Sequence, residues 1–165
     1  MALVECDECG RTISHRAALC PGCGFPMQLN GGPLHRASAA GAVERVGRLV
    51  ALGVDLDTLD GSSWTPLGRA AVAGFAEIVQ SLLAAGANPN ATRLGDAGPL
   101  HWAARHGRFD VVELLLDGGA DVNARDAADG TPVEWGRCHS EKMVELLRSH
   151  SGRSGAELKQ PLRDD

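Results

Sequence analysis

Apolar positions along the middle of the chain come in adjacent pairs four residues apart, and the pairs return at a fixed interval. Ile78, Val79, Leu82 and Leu83 are answered by Val111, Val112, Leu115 and Leu116, so each set lays one buried stripe along a short helix. Val46 and Leu49 stand one interval earlier, in step with Val79 and Leu82. Between the stripes lie polar and glycine-rich stretches that turn the chain. The interval is 33 residues. Pro33, Pro66, Pro99 and Pro132 mark it again, as do Gly41, Gly74 and Gly107, and Gly53, Gly86 and Gly119.

This punctuation predicts the order of elements. Proline is tolerated in the first helical turn, where its missing N–H would have no partner in any case, so a helix is expected to begin at each proline. A second helix carries the stripe, and the glycine after it closes that helix with a left-handed cap. Asp55, Asn88 and Asp121, each followed two positions later by Asp57, Asn90 or Asn123, are placed to hydrogen-bond their own turns. Thr65 and Thr131 are expected to cap the first helices. Gly32 and Gly98 hold the same position without a hydroxyl, and His35 and His101 are expected to satisfy buried backbone groups between copies.

The last copy lacks a counterpart of Gly107, so its second helix should start one position early. Stacked repeats contact only their neighbours, and the outermost copies need a polar face. Arg45 supplies it in the first copy, where Ile78 and Val111 stand later. In the fourth copy, Arg148 and Ser149 read as standing in place of Leu115 and Leu116. Past His150 the stretch SGRSGAELKQPLRDD has no apolar period and is expected to be a disordered tail over residues 151–165.

The third copy, GPLHWAARHGRFDVVELLLDGGADVNARD, resembles the ankyrin repeat almost end to end, and TPLGRAAVAGFAEIVQSLLAAGANPNATR resembles it nearly as closely. The resemblance implies a mainly α fold: a solenoid of four helix-turn-helix repeats with finger loops over residues 27–150, divided at 27–59, 60–92, 93–125 and 126–150. It further implies a non-enzymatic scaffold or adaptor that binds a protein partner through a concave groove. Carried over by register, Trp64, Leu94, Arg105, His106 and His139 fall on that groove. Trp64 and Arg105 are the expected anchors, since Trp and Arg are enriched among residues that dominate binding energy. A Trp64 ring folded over its own finger is the alternative. Trp102 and Trp135 share one register position, held by Arg36 and Arg69 in the first two copies. They are expected to pack between adjacent first helices, with Arg69 stacked on Trp102; an aromatic strip in the groove is the alternative.

Chemistry of another kind precedes the repeats. Cys6, Cys9, Cys20 and Cys23 form two CxxCG turns. Each turn presents two sulfurs from one tight bend, and two bends complete a tetrahedron of thiolates with no open position for water, which is a structural rather than a catalytic zinc site. A segment of residues 1–26 falls well short of the roughly 40 residues below which a domain needs a metal, disulfides or a partner to fold. Disulfide pairing is the alternative, disfavoured because the start lacks the charged and apolar regions of a secretory signal. The pattern CxxCGxxI followed by CPxCG resembles the short zinc ribbons common in bacterial proteins, which implies one structural zinc ion and short β-hairpins at residues 1–26.

Composition narrows the function classes. No apolar run reaches the length needed to span a bilayer, so no membrane role is expected, and the chain is expected to be a cytoplasmic monomer. From Pro33 to His150 there are 11 basic and 15 acidic side chains, and the cysteine-rich segment is also slightly acidic. Phosphate binding needs a basic stripe, so nucleic acid is not an expected partner; a regulator whose ribbon touches DNA or RNA is the runner-up reading. Cys138, His139 and His106 lack an orienting carboxylate at a useful spacing, and no catalytic residue is assigned. Fourteen Arg against two Lys, with abundant Ala and Gly, suits a GC-rich bacterial genome.

Overall fold

A computed structural model describes the backbone of residues 3–5 and 12–14, and the chain over residues 32–92 and 96–159. Two short strands, β1 (Leu3–Glu5) and β2 (Thr12–Ser14), pair antiparallel with Val4 opposite Ile13. The four N-terminal cysteines lie outside the described residues, as does Leu94.

Helical hairpins follow in the predicted order. The first helices are α1 (Pro33–Ala39), α3 (Pro66–Ala73), α5 (Pro99–Arg105) and α7 (Pro132–Arg137); the second helices are α2 (Val43–Ala51), α4 (Ala76–Ala84), α6 (Phe109–Asp117) and α8 (Glu141–Ser149). Each first helix opens on its proline. The first helices pack in the order α1, α3, α5, α7, the second helices α2, α4 and α6 pack in parallel order, and each hairpin packs on itself.

One core runs through the stack. Leu67, Ile78, Val79, Leu82, Val112, Leu115 and Val133 are completely buried, which sets the apolar stripes against neighbouring hairpins as their period requires. Burying a side chain of this kind contributes about 1.5–3 kcal/mol. The glycine series are needed for their backbone. Gly74 has φ +86° and Gly119 has φ +87°, a region that a side chain penalises. At Gly74 an added Cβ would also lie 2.9 Å from the Arg108 side chain.

Outside the helices a ladder of short polar side chains keeps the turns in register. Asp57 Oδ1 accepts from Asn88 N–H at 2.9 Å, Asn90 Oδ1 from Asp121 N–H at 2.8 Å, and Asn123 Oδ1 from Arg153 N–H at 2.8 Å. Within each turn Asp55, Asn88 and Asp121 accept from the residue two further on, as the spacing predicts.

The fourth repeat fits the sequence reading at the start of its second helix and departs from it in two respects. Its second helix does begin early, at Glu141, and Ser140 accepts from Met143 N–H where the inner second helices have no side-chain cap. The deletion also shifts everything after it by one position. Leu147, completely buried, takes the place of Leu115, so of the pair only Leu116 is replaced, by Arg148, and Ser149 falls one position beyond it. Thr131 does not cap its helix through its hydroxyl, which donates to the Arg153 carbonyl at 2.7 Å; Glu134 instead accepts from Thr131 N–H. Thr65 alone of the two threonines accepts from the helix, at Gly68 N–H.

Residues 151–159 are structured, contrary to the expected tail. Ser154 caps a further short helix, α9 (Gly155–Leu158), and Arg148 pairs with Glu157 while Lys159 pairs with Asp129. Gly152 lies so close to the Val133 side chain and the Leu147 carbonyl that a Cβ would not fit. These residues cover the end of the stack that Arg148 and Ser149 were expected to cover. An apolar period could not reveal them, because they are held through backbone contacts and polar side chains.

Candidate functional site

Loops between repeats form fingers that stand over the starts of the first helices. The finger of residues 58–64 is closed by Asp60 N–H donating to the Trp64 carbonyl at 2.9 Å, and that of residues 124–130 by Asp126 N–H donating to the Gly130 carbonyl at 3.0 Å. In both, the residue before the last takes a left-handed φ of 63°, at Ser63 and Asp129. A carboxylate organises each turn from within. Asp60 Oδ1 accepts from Ser62 and Trp64 N–H, and Asp126 Oδ1 accepts from Ala128 and Gly130 N–H.

Histidines fasten the fingers to the preceding helices, as expected. His35 Nε2 reaches the carbonyls of Thr58 and Trp64 at 2.9 and 3.0 Å, and His101 Nε2 reaches those of Ala124 and Gly130 at 3.1 and 3.2 Å. His101 Nδ1 accepts from Gly98 N–H at 3.2 Å, which stands in for the missing hydroxyl. Burial lowers the pKa of both imidazoles below the ordinary value of 6.5, against the carbonyl bonds that favour the cation. Gly68 occupies this position in the second repeat, and there the Ala97 carbonyl is met instead by Trp102 Nε1 at 3.2 Å.

The indoles converge in front of these helices. Trp64 and Trp102 have ring centroids 5.0 Å apart, and Trp102 and Trp135 meet edge to face at 4.9 Å, so three repeats contribute to one aromatic strip. Such pairs contribute about 0.5–1.5 kcal/mol beyond their burial. Trp64 is half-buried and also lies over its own repeat, 3.2 Å from where a Cβ of Gly68 would sit. Arg105 is exposed, its guanidinium 5.9 Å from the Trp102 ring and 5.5 Å from that of Trp135, and the exposed His106 stacks on Trp102 at 6.2 Å. Arg69 lies over Trp64 at 5.3 Å rather than over Trp102, because Asp60 Oδ2 accepts from its Nε at 2.7 Å and from its Nη2. Burial alone would raise the pKa of Asp60, but the hydrogen bonds from Trp64, Arg69 and Ser62 overcome it and hold the carboxyl below its ordinary range.

Trp102 thus brings Trp64, Arg105 and His106 together. His139 stands apart from the strip, edge-on to Phe109 at 6.0 Å and pressed over Gly107. Cys138 is exposed and its thiol is free. Among the described residues no group of three His, Cys, Asp or Glu side chains is placed to hold a metal ion. Asp60 and Asp126 organise the finger turns, and the sequence reading did not single them out. Their signal was present, since both precede a Thr-Pro pair by five residues, but Arg93 interrupts the series in the intervening copy.

Between the fingers and the strip lies a pocket of about 410 Å³, lined by Trp64, Gly68, Asp96, Trp102, Asp126 and Trp135 among others. A solenoid of stacked hairpins whose half-buried aromatic strip spans several repeats belongs to the class of repeat proteins that present an extended face. Residues 7–93 and 34–126 match the family model described as ankyrin repeats (3 copies). The chain belongs to the ankyrin-repeat family, whose members typically mediate protein binding and are typically non-catalytic. No curated protein matches the chain. No described helix is long and apolar enough to cross a membrane.

Proposed function

We propose that the protein is a non-enzymatic adaptor that grips a protein partner along the groove between its fingers and first helices. The contact of Trp64, Trp102 and Trp135 across three repeats, with Arg105 against two of the rings, carries this reading. Indoles are rigid and lose little conformational entropy on binding, and Trp and Arg are among the side chains that most often dominate interface energy. His106 extends the same surface. Leu94 and His139 are assigned to the partner face by register.

Ahead of the repeats, Cys6, Cys9, Cys20 and Cys23 would hold one structural zinc ion. The donor set supports this, because four thiolates from two CxxC turns match zinc in softness and in tetrahedral number. The ion would fix the fold of residues 1–26 and leave no site for catalysis.

Affinity capture from the native cell tests the groove. Wild type should retain a defined protein that the Trp64→Ala, Arg105→Ala double variant loses, with the Arg105→Ala single variant intermediate and all three showing comparable thermal transitions. An identical set of retained proteins for folded wild type and double variant would remove the assignment.

A further inference from the structure

Asp60, Trp64 and Arg69 form a self-contained set in the second repeat. The carboxylate takes two finger N–H groups on Oδ1 and the forked guanidinium on Oδ2, and the same guanidinium lies over the indole. The fourth finger reproduces this turn without the cation. Asp126 Oδ1 accepts from Ala128 and Gly130 N–H at 2.9 and 2.8 Å, while Oδ2 accepts from Trp135 Nε1 at 2.9 Å. Trp135 stands at the register position of Arg69, and among the described residues no cation pairs with Asp126.

That carboxylate lines the 410 Å³ pocket together with Asp96, which is exposed and makes no hydrogen bond or ion pair among the described residues. The walls are the indoles of Trp64, Trp102 and Trp135, and among the described residues no Arg, Lys or His lines the pocket. Two acids and three aromatic rings therefore face a space large enough for one long side chain and its flanking backbone. Arg105 touches two of the same rings but does not line the pocket, and among the described residues its single charge stands against two carboxylates.

Resting on the adaptor reading above, we propose that this pocket receives an arginine side chain of the partner protein, its guanidinium set against Asp126 and the indoles. Arginine suits the pocket better than lysine, since its planar head both stacks on an indole and donates in a fork to one carboxylate. The second repeat shows that combination inside this molecule, at Arg69. In the fourth finger Trp135 Nε1 already occupies one site on Oδ2, so Asp126 offers a donor from outside one remaining acceptor site, and the fork falls to Asp96.

A short peptide tests the assignment on the full, zinc-loaded chain. The probe is acetyl-Gly-Ala-Arg-Ala-Gly-amide, compared with versions carrying citrulline or lysine in place of arginine, and tryptophan emission and calorimetry report binding. The arginine peptide should bind saturably, at least about tenfold tighter than the citrulline peptide, the factor equivalent to about 1.4 kcal/mol. Asp96→Asn and Asp126→Asn should each weaken it severalfold; the second keeps an oxygen for the two finger N–H groups but loses the acceptor for Trp135 Nε1, so a cooperative melt of both variants, rather than an unchanged midpoint, confirms the fold. Equal binding of the citrulline peptide, equal binding of the lysine peptide or no saturable change would overturn the assignment. If the probe fails while the Trp64→Ala, Arg105→Ala variant still loses its captured partner, only the arginine pocket is wrong. If capture is indifferent to all four substitutions, the adaptor groove itself falls.

Discussion

His101 ties one repeat to the next: its Nε2 lies 3.1 Å from the carbonyl oxygen of Ala124, in the following finger, while its Nδ1 accepts from Gly98 N–H in its own repeat. With carbonyls on one side and an N–H on the other, the ring is held neutral with its proton on Nε2. A second proton would sit on Nδ1 and face the Gly98 N–H. His35 makes the same pair of carbonyl contacts one interval of two repeats earlier.

Acid should therefore weaken the stack through these two rings. Both have folded pKa values lowered from 6.5. The unfolded chain binds more protons than the folded one once the pH drops below 6.5, so their contribution is complete above that value and is lost as pH falls from it toward the depressed folded values. The slope is at most about 1.4 kcal/mol per pH unit for each ring. Urea midpoints measured at about pH 8 and about pH 5.5 should differ, and a His35→Asn, His101→Asn variant should be weaker at the higher pH but less acid-sensitive. Equal acid sensitivity in the variant would assign the effect to other groups.

Asp60 and Arg69 should be coupled. The Asp60 side chain is fully buried, whereas that of Arg69 is 31% exposed, so Arg69→Ala leaves a buried carboxylate with only backbone donors. The expected loss is about 1–2 kcal/mol, less than for a wholly buried pair because solvent screens the outer side of the guanidinium. Its folded pKa is lowered, so this stabilisation is present above the ordinary value of 3.8 and disappears as pH falls below it. A double-mutant cycle of Asp60→Asn and Arg69→Ala, followed by denaturant unfolding, should give a positive coupling near neutral pH. A coupling indistinguishable from zero there would show the pair to be independent.

The repeat architecture was legible because its cause is periodic. Proline at each helix start, glycine at each turn and the stripe from Ile78 to Leu83 all recur at one interval, and the matching residues occupy matching places. The histidine contacts were legible for the same reason. What the period could not show was the effect of losing one residue near Cys138, which moves Leu147 into the core and frees Arg148 to pair with Glu157. Nor could it show which Trp would meet Arg69, since that is decided by the grip of Asp60 from nine residues away. The carboxylate turns at Asp60 and Asp126 occur in alternate copies, so a search at the single interval passes over them.

Cutting the chain after His150 should destabilise the stack. Residues 151–159 supply the carbonyl that accepts from Thr131 Oγ1 and the N–H that meets Asn123, and they cover Val133 and Leu147. Losing these hydrogen bonds and exposing part of two core side chains should reduce stability by about 2–4 kcal/mol. Removing only residues 160–165 keeps every described contact of residues 151–159 and provides the comparison. A chain ending at His150 that melts with the full-length protein would show that the C-terminal contacts add nothing.

Metal removal distinguishes the two parts of the chain. If Cys6, Cys9, Cys20 and Cys23 hold zinc, the protein should release one equivalent on treatment with a thiol-blocking reagent, measurable with a chromogenic chelator. Structural zinc in small finger peptides contributes on the order of 10–16 kcal/mol at neutral pH, far more than the few apolar side chains of residues 1–26 could offer, so that segment should lose its amide protection with the metal. The repeats bury their own core from Leu34 to Leu147 and should keep their helical signal and thermal transition. A chelator that collapses the repeat transition as well would mean that the cysteine-rich segment closes the first repeat as the C-terminal residues close the last. A zinc content near zero in freshly purified, reduced protein would remove the tetrathiolate site.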